Sequence, residues 1–474
     1  MADSQTSPGK AVFTEGSTMR HVLTMTSTGA LGLLSIFLVD VVNLFYISLL
    51  GEQELAAAIG YASTLMFFTV SVSIGFSIAA TAITAKALGA GDTEAARRNA
   101  GASVIFMVLM SFLLVAIVFP VLPFVLDLLG AKGETHQLSL EFIQIAILSF
   151  PLMCIGMCMS ALLRAKGDAK RAMYVTLSAG GAALVLDPLF IFGFGLGIHG
   201  AAIAILFIRL VLTLVGLHGA VVVHNMIGRP DFAWLKQTAR PFLVIAIPAV
   251  LTQIATPIGN AYVTASIAEF GDDAVAGWAI VGRLMPLAFA GIFALSGAVG
   301  PILSQNLGAQ KFDRVNRAMW DCLIFTLTYT VVVWGILALA WQPIAQLFNA
   351  DNDALALIRF FCLFVAGSFI FNGALFVANA AFNNLGFPIY STVFNWGRAT
   401  LGVIPFVWIG MRWGPEGVLA GWGLGGIVFG IAAVVVCFRE IRKLPERATT
   451  DHEVLPTVPT SNSPFTSGRG ASAG

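Results

Sequence analysis

Along most of this chain nearly every position is apolar, and the apolar stretches are parted by short polar breaks. Segments such as 102–126 are apolar at odd and even positions alike, so they lack the alternation over about ten residues that a membrane strand needs. A helix of about 20 such residues crosses a hydrocarbon core of about 30 Å. Divided by this rule, the pattern predicts twelve helical spans at 23–50, 55–85, 98–129, 138–163, 170–195, 199–224, 241–268, 275–305, 318–348, 355–384, 388–411 and 416–438. The expected fold class is all-α integral membrane. Residues 1–20 are polar, and the first apolar run is longer than the core of a signal peptide, so that run is expected to stay as the first span.

The longest polar stretch between spans, 224–240, separates the sixth from the seventh and divides the chain into two halves. The predicted organisation is an N-terminal segment 1–20, a lobe 21–224, a linker 225–240, a second lobe 241–440 and a tail 441–474. The Thr, Ser, Pro and Gly content of that tail predicts disorder. An internal repeat supports the two halves. LGAGDTEAARR from Leu88 matches LGAQKFDRVNR from Leu307 at an offset of 219, Gly167 pairs with Gly386 at the same offset, and Gly51–Leu65 aligns with Gly271–Met285 at 220. DPLFIFGFGLGIHG from Asp187 matches IPFVWIGMRWGPEG from Ile404 after a two-residue gap. With six spans per half, both halves start and end on the same side, which places their pseudo-two-fold axis along the membrane normal.

Composition agrees: 58% of residues are hydrophobic and 11% charged, where a soluble domain carries about a quarter charged. The net charge of +1 points to no nucleic acid and no acidic partner. Its placement is more informative. Lys86, Arg97, Arg98, Arg164, Lys166, Lys170, Arg171, Arg229, Lys236, Arg240, Lys311, Arg314 and Arg317 all fall in loops on one side, while the other side has little beyond Lys132 and Arg412. Basic residues accumulate in cytoplasmic loops, so both termini are expected in the cytoplasm, in a cell inner (plasma) membrane. The five cysteines lie in apolar segments without metal-type spacing and read as reduced packing residues.

Charges inside a span cost about 2.5–3.5 kcal/mol each at the centre, so those present carry information. Asp40, in the first span, and Asp187, in the fifth, lie about ten and nine residues before the outer ends of their helices and so at similar depth. Asn43 follows Asp40 by three residues on the same helical face, and Pro188 frees the carbonyl of Leu184 beside Asp187. The competing reading makes each acid a buried packing residue satisfied by a hydroxyl or backbone group. In the second half, Asn260 stands opposite Asp40 and Ile404 opposite Asp187, so the acidic pair belongs to the first half alone. Arg209, Arg283 and Arg398 fall within spans, where they either pair structurally or line a cavity. No GxxxxGK[ST] loop for ATP is present, so energy must come from an ion gradient or from the substrate's own gradient.

These features together resemble the multidrug and toxic compound extrusion (MATE) family, in its DinF-like branch. The residues that carry the resemblance are Asp40, the LGxxxLAA pattern at Leu50–Ala57, the repeated LGA segments and Asp187-Pro188. The resemblance implies a monomeric antiporter without cofactor, with two six-helix lobes around a V-shaped cavity, that expels cationic or amphipathic drugs in exchange for protons or sodium. It also implies that Asp40 and Asp187 carry the coupling ion; the residues themselves add Asn43, Leu184 and Pro188 as supporting polar and kink positions and Asn260, Arg283 and Arg398 as cavity candidates. Two departures weaken a sodium cage: Ala183 stands where some members have Asn and the fourth span has no Asn, and no acid lies well inside the seventh or tenth span, where other members have one; the missing amides favour the proton. The alternatives are a flippase of the same superfamily for lipid-linked saccharides and a membrane-embedded aspartyl enzyme.

Overall fold

The computed structural model describes residues 11–48 and 53–448, with the side chains of residues 40, 41, 43–45, 47, 48, 53, 54, 56 and 57 outside that description. All regular structure among the described residues is helical. The first lobe comprises α1 (Thr18–Ser48), α2 (Gln53–Gly89), α3 (Thr93–Leu128), α4 (Gly133–Ile147), α5 (Phe150–Lys166), α6 (Ala169–Pro188) and α7 (Gly197–Leu217). The second comprises α8 (Phe232–Ala268), α9 (Asp272–Ala288), α10 (Ala290–Gly308), α11 (Phe312–Leu347), α12 (Asn352–Leu363), α13 (Phe369–Leu385), α14 (Pro388–Ala399), α15 (Ile404–Gly410) and α16 (Gly414–Arg442).

Several spans are broken rather than straight. The α4–α5 and α9–α10 pairs each form one crossing bent by 49°. A 3-10 turn, Val365–Ser368, joins α12 to α13. The apolar stretch Pro388–Arg442 folds back on itself: a Cβ on Gly425 would lie 1.7 Å from the carbonyl oxygen of Gly402, so α14–α15 and α16 are two antiparallel crossings. Twelve crossings result, and the loops that carry most of the Lys and Arg fall on one side, the basic face, with Lys132 and Arg412 on the other.

The repeat is visible in the backbone. Gly167 and Gly386 close α5 and α13 with φ of 91° and 97°, values that favour glycine. The breaks at Ser149 and Ser368 stand at the same offset of 219. The seam between lobes is built on it too, since Gly89 corresponds to Gly308 and Lys86 to Gln305. A Cβ on Gly89 would lie 2.0 Å from the Gln305 carbonyl oxygen, and one on Gly308 1.9 Å from that of Lys86. One contact is thus made twice about the pseudo-two-fold axis. Gly29 against Ala294 and Gly75 against Val250 form a second reciprocal pair within two residues of the same register.

Helix starts on the basic face explain where the predicted boundaries shift. Asp92, Asp168 and Asp231 each accept a backbone N–H three residues on, from Ala95, Arg171 and Trp234, and so cap α3, α6 and α8. The cap at Asp231 starts α8 inside the stretch predicted as linker, which contracts to the few residues after His224. There Gly228 N–H donates to the Arg97 carbonyl at 2.8 Å, which pins the linker to α3. At the other end, Ile441 and Leu444 are buried and Arg447 pairs with Glu440 at 2.9 Å, so the predicted tail is ordered up to residue 448. The remainder, 449–474, lies outside the described residues.

The N-terminal segment also departs from expectation, because part of it belongs to the core. Phe13 is 2% exposed within the second lobe's cluster of Leu303, Val315 and Met319. Its N–H donates to Gln305 Oε1 at 2.9 Å, and its carbonyl accepts from Asn306 and Arg314. Lys311 reaches the Thr14 carbonyl, and Arg314 also reaches those of Glu15 and Gly16. Gln305 Nε2 donates to the Ala165 carbonyl at 2.7 Å, so the segment is tied to both lobes. Phe13→Ala is expected to destabilise the protein by about 3–5 kcal/mol, read as a fall in the thermal unfolding midpoint; an unchanged midpoint would show that the segment carries no packing energy. The repeat-related groove, between α2, α3, α8 and α13, is instead an open cavity of about 790 Å³ lined by Lys86, Asn99, Gln237, Asn383, Asn384 and Arg447.

Candidate functional site

Asp187 is 3% exposed and is the last residue but one of α6. The helix passes through Pro188 into a wide π-type turn, Leu189–Gly193, closed by Phe194 N–H donating to the Leu189 carbonyl at 2.9 Å. Proline lacks the N–H that would continue the ladder, and π-type turns recur at functional sites. The acid therefore sits where the backbone hydrogen-bond pattern changes.

Helix α1 lies alongside. Gly32 faces Thr176, Gly180 faces Ser35 and Val39, and the rings of Tyr46 and Phe192 meet edge-on at 6.1 Å. These pairs put α1 and α6 in parallel register, which sets the backbone of position 40 level with about position 185, within one turn of Asp187. The side chains of Asp40 and Asn43 lie outside the described residues, as does most of the LGxxxLAA pattern. Leu184 turns its side chain outward, 40% exposed, so only its carbonyl is left to serve Asp187.

The remaining candidates are scattered. Asn260 is half-buried on α8 and its carbonyl accepts from the Thr264 hydroxyl at 2.9 Å. Arg283 is exposed on α9 and makes no ion pair or side-chain hydrogen bond among the described residues. Arg398, 5% exposed, donates to Thr256 Oγ1 at 3.1 Å and ties α14 to α8. Arg209, on α7, donates to Ser149 Oγ at 2.8 Å, and Thr213 donates to the Leu152 carbonyl at 2.6 Å. This pair satisfies polar groups freed by the α4–α5 break. Sequence reasoning missed a row of buried amides on α13, Asn372, Asn379 and Asn383, whose spacing of seven and four residues places them on one helical face.

Two copies of one pattern confirm what this arrangement suggests. The MatE family model matches residues 30–189 and again 248–409, spans one to five and seven to eleven. The chain belongs to the MatE family. This MATE protein is a transporter, not an enzyme, and the aspartyl-enzyme alternative is set aside. It is 29% identical over 446 residues to an FAD transporter of Shewanella oneidensis, covering 91% of this chain and 96% of that protein. It is 23% identical to the multidrug export protein MepA of Staphylococcus haemolyticus, covering 84% and 88%. The fold matches the outward-facing conformation of a multidrug resistance MATE family transporter of the MOP superfamily with TM-score 0.87 at 20% identity, covering 94% of this chain and 100% of that one. The architecture of this MATE protein is accordingly twelve transmembrane helices in two lobes.

Proposed function

We propose that this protein is a DinF-like exporter of the plasma membrane, with both termini in the cytoplasm, that expels cationic or amphipathic organic compounds in exchange for protons. The single observation that carries the reading is Asp187, an acid 3% exposed at the point where α6 opens into a π-type turn. Asp40, on the adjoining helix, is its proposed partner. Two buried carboxylates side by side are costly to hold with two charges, so the pair would share a proton. Protonation lowers the cost of burying both, which lets α1 and α6 repack around Pro188 and expel the compound outward. Ala183 and the absence of Asn in α4 and α5 leave few oxygens for sodium.

A second reading for the substrate rests on Arg209. Its partners Ser149 and the Ala146 carbonyl are neutral, leaving a cation inside the membrane that suits an anionic compound such as the FAD of the Shewanella relative's name. Purified protein in liposomes, given a pH gradient or a sodium gradient separately, tests both. Fluorescent cations are expected to move under the pH gradient alone, and the movement should collapse with a protonophore. Movement that requires sodium and ignores the protonophore would sink the proton reading, and FAD moving where the cations do not would select the anionic substrate.

A further inference from the structure

A cavity of about 150 Å³ lies at the basic face within the first lobe, lined by Thr84, Leu88, Thr93, Arg97, Lys166 and His224 among others. Its polar lining is rich in donors; the Asn225 side-chain oxygen accepts from Arg97 Nη2 at 3.1 Å, which leaves Lys166, Thr84 and the Arg97 Nε facing it. Lys166 is only 9% exposed, yet it makes no side-chain hydrogen bond or ion pair among the described residues. The hydroxyl of Thr84, a residue 1% exposed, and the buried Nε of Arg97 have no hydrogen-bond partner among the described residues either. The α3 helix begins at Thr93, but Asp92 caps it and Glu94 lies in its first turn, so its dipole is already countered and the positive charge at the cavity comes from Lys166 and Arg97.

The nearby carboxylates are already engaged. Asp168 accepts from His224 Nε2 at 2.7 Å and from Arg171. Burial alone would raise its pKa, but these hydrogen bonds and the Arg171 charge hold it well below the usual carboxylate range. Glu94 lies on the exposed side of Arg97, at 3.6 Å, and pairs with Arg98. A helix C-terminus favours a cation and so explains a surface lysine, but not one buried this deeply. The repeat makes the contrast plain: at the offset of 219 the counterpart of Lys166 is Leu385, 4% exposed in the second lobe's apolar core. An unpaired buried ammonium costs several kcal/mol and calls for an anion.

We propose that this cavity is a phosphate site, in which Lys166, Arg97 and Thr84 hold a phosphate group and join α2, α3, α5 and the segment after α7. The group comes either from an anionic lipid headgroup or from a soluble phosphate, and the test separates them. Thermal unfolding is measured on wild type and Lys166→Leu in phosphatidylcholine nanodiscs, with inorganic phosphate added at constant ionic strength, and in nanodiscs containing phosphatidic acid. Wild type is expected to gain a few degrees in midpoint with at least one probe, and Lys166→Leu to lose that gain without unfolding. A gain from inorganic phosphate assigns the soluble source; a gain confined to phosphatidic acid assigns the headgroup. Thr84→Val and Arg97→Gln are read in the same way should the lysine variant not fold. An equal response of wild type and variants, or no response of wild type to either probe, overturns the proposal.

Discussion

Asp187→Asn is expected to reduce coupled efflux to the level of empty liposomes while the protein still folds and inserts. The amide keeps the shape and polarity of the acid, so the π-type turn after Pro188 and the packing of α6 on α1 have no reason to change. What it cannot do is release a proton. Asp40→Asn is expected to behave alike, because a shared proton needs both members. Asn260→Ala, at the repeat-related position of the other lobe, should cost far less, since that residue carries no titrating group and is only half-buried. The measurement is drug movement under an imposed pH gradient, with the unfolding midpoint as control. Equal losses at Asn260 and Asp187 would mean that polarity, not proton exchange, is what the spans require.

The second large effect is expected at the seam. Gly89→Ala and Gly308→Ala each place a Cβ about 2 Å from a backbone carbonyl of the other lobe, where no side-chain adjustment relieves the clash. Overpacking of this kind costs about 1–3 kcal/mol per site, and here the lobes can escape it only by moving apart at the basic face. Each variant is expected to show lowered thermal stability and strongly reduced transport, and the double variant none. Gly60→Ala is the matched control on α2: its Cβ meets nothing within 4 Å, so only a slight gain in helix propensity is expected. A double variant that transports like wild type would show that closure at this seam is not part of the cycle.

The sequence made the spans and the repeat legible because lipid demands long apolar runs and because charge collects between them. It hid the breaks. The runs through Leu148–Ser149, Phe289 and Val365–Ser368 carry no charge and at most a single serine at the break, too little to interrupt the hydropathy of a span. Asp187 was readable as an acid where acids are costly. Lys166 was not, because it sits among basic loop residues and only its burial sets it apart. The role of Phe13 was likewise invisible, since Val12–Thr14 has no periodicity and its partners Gln305, Asn306 and Arg314 are nearly three hundred residues away.

That N-terminal segment is joined by the chain to α1 yet held by the second lobe, through Asn306, Lys311 and Arg314, with Thr18 also bonded to Asp321 of α11. It therefore works mechanically as a leash. Only Ser17 lies between Gly16, whose carbonyl Arg314 also holds, and the first turn of α1, and Gly16, at φ 71°, turns the chain there. One extended residue spans about 3.5 Å at most. If the lobes part at the basic face by more than this slack allows, Phe13 must leave its pocket; if by less, the leash sets the limit of travel.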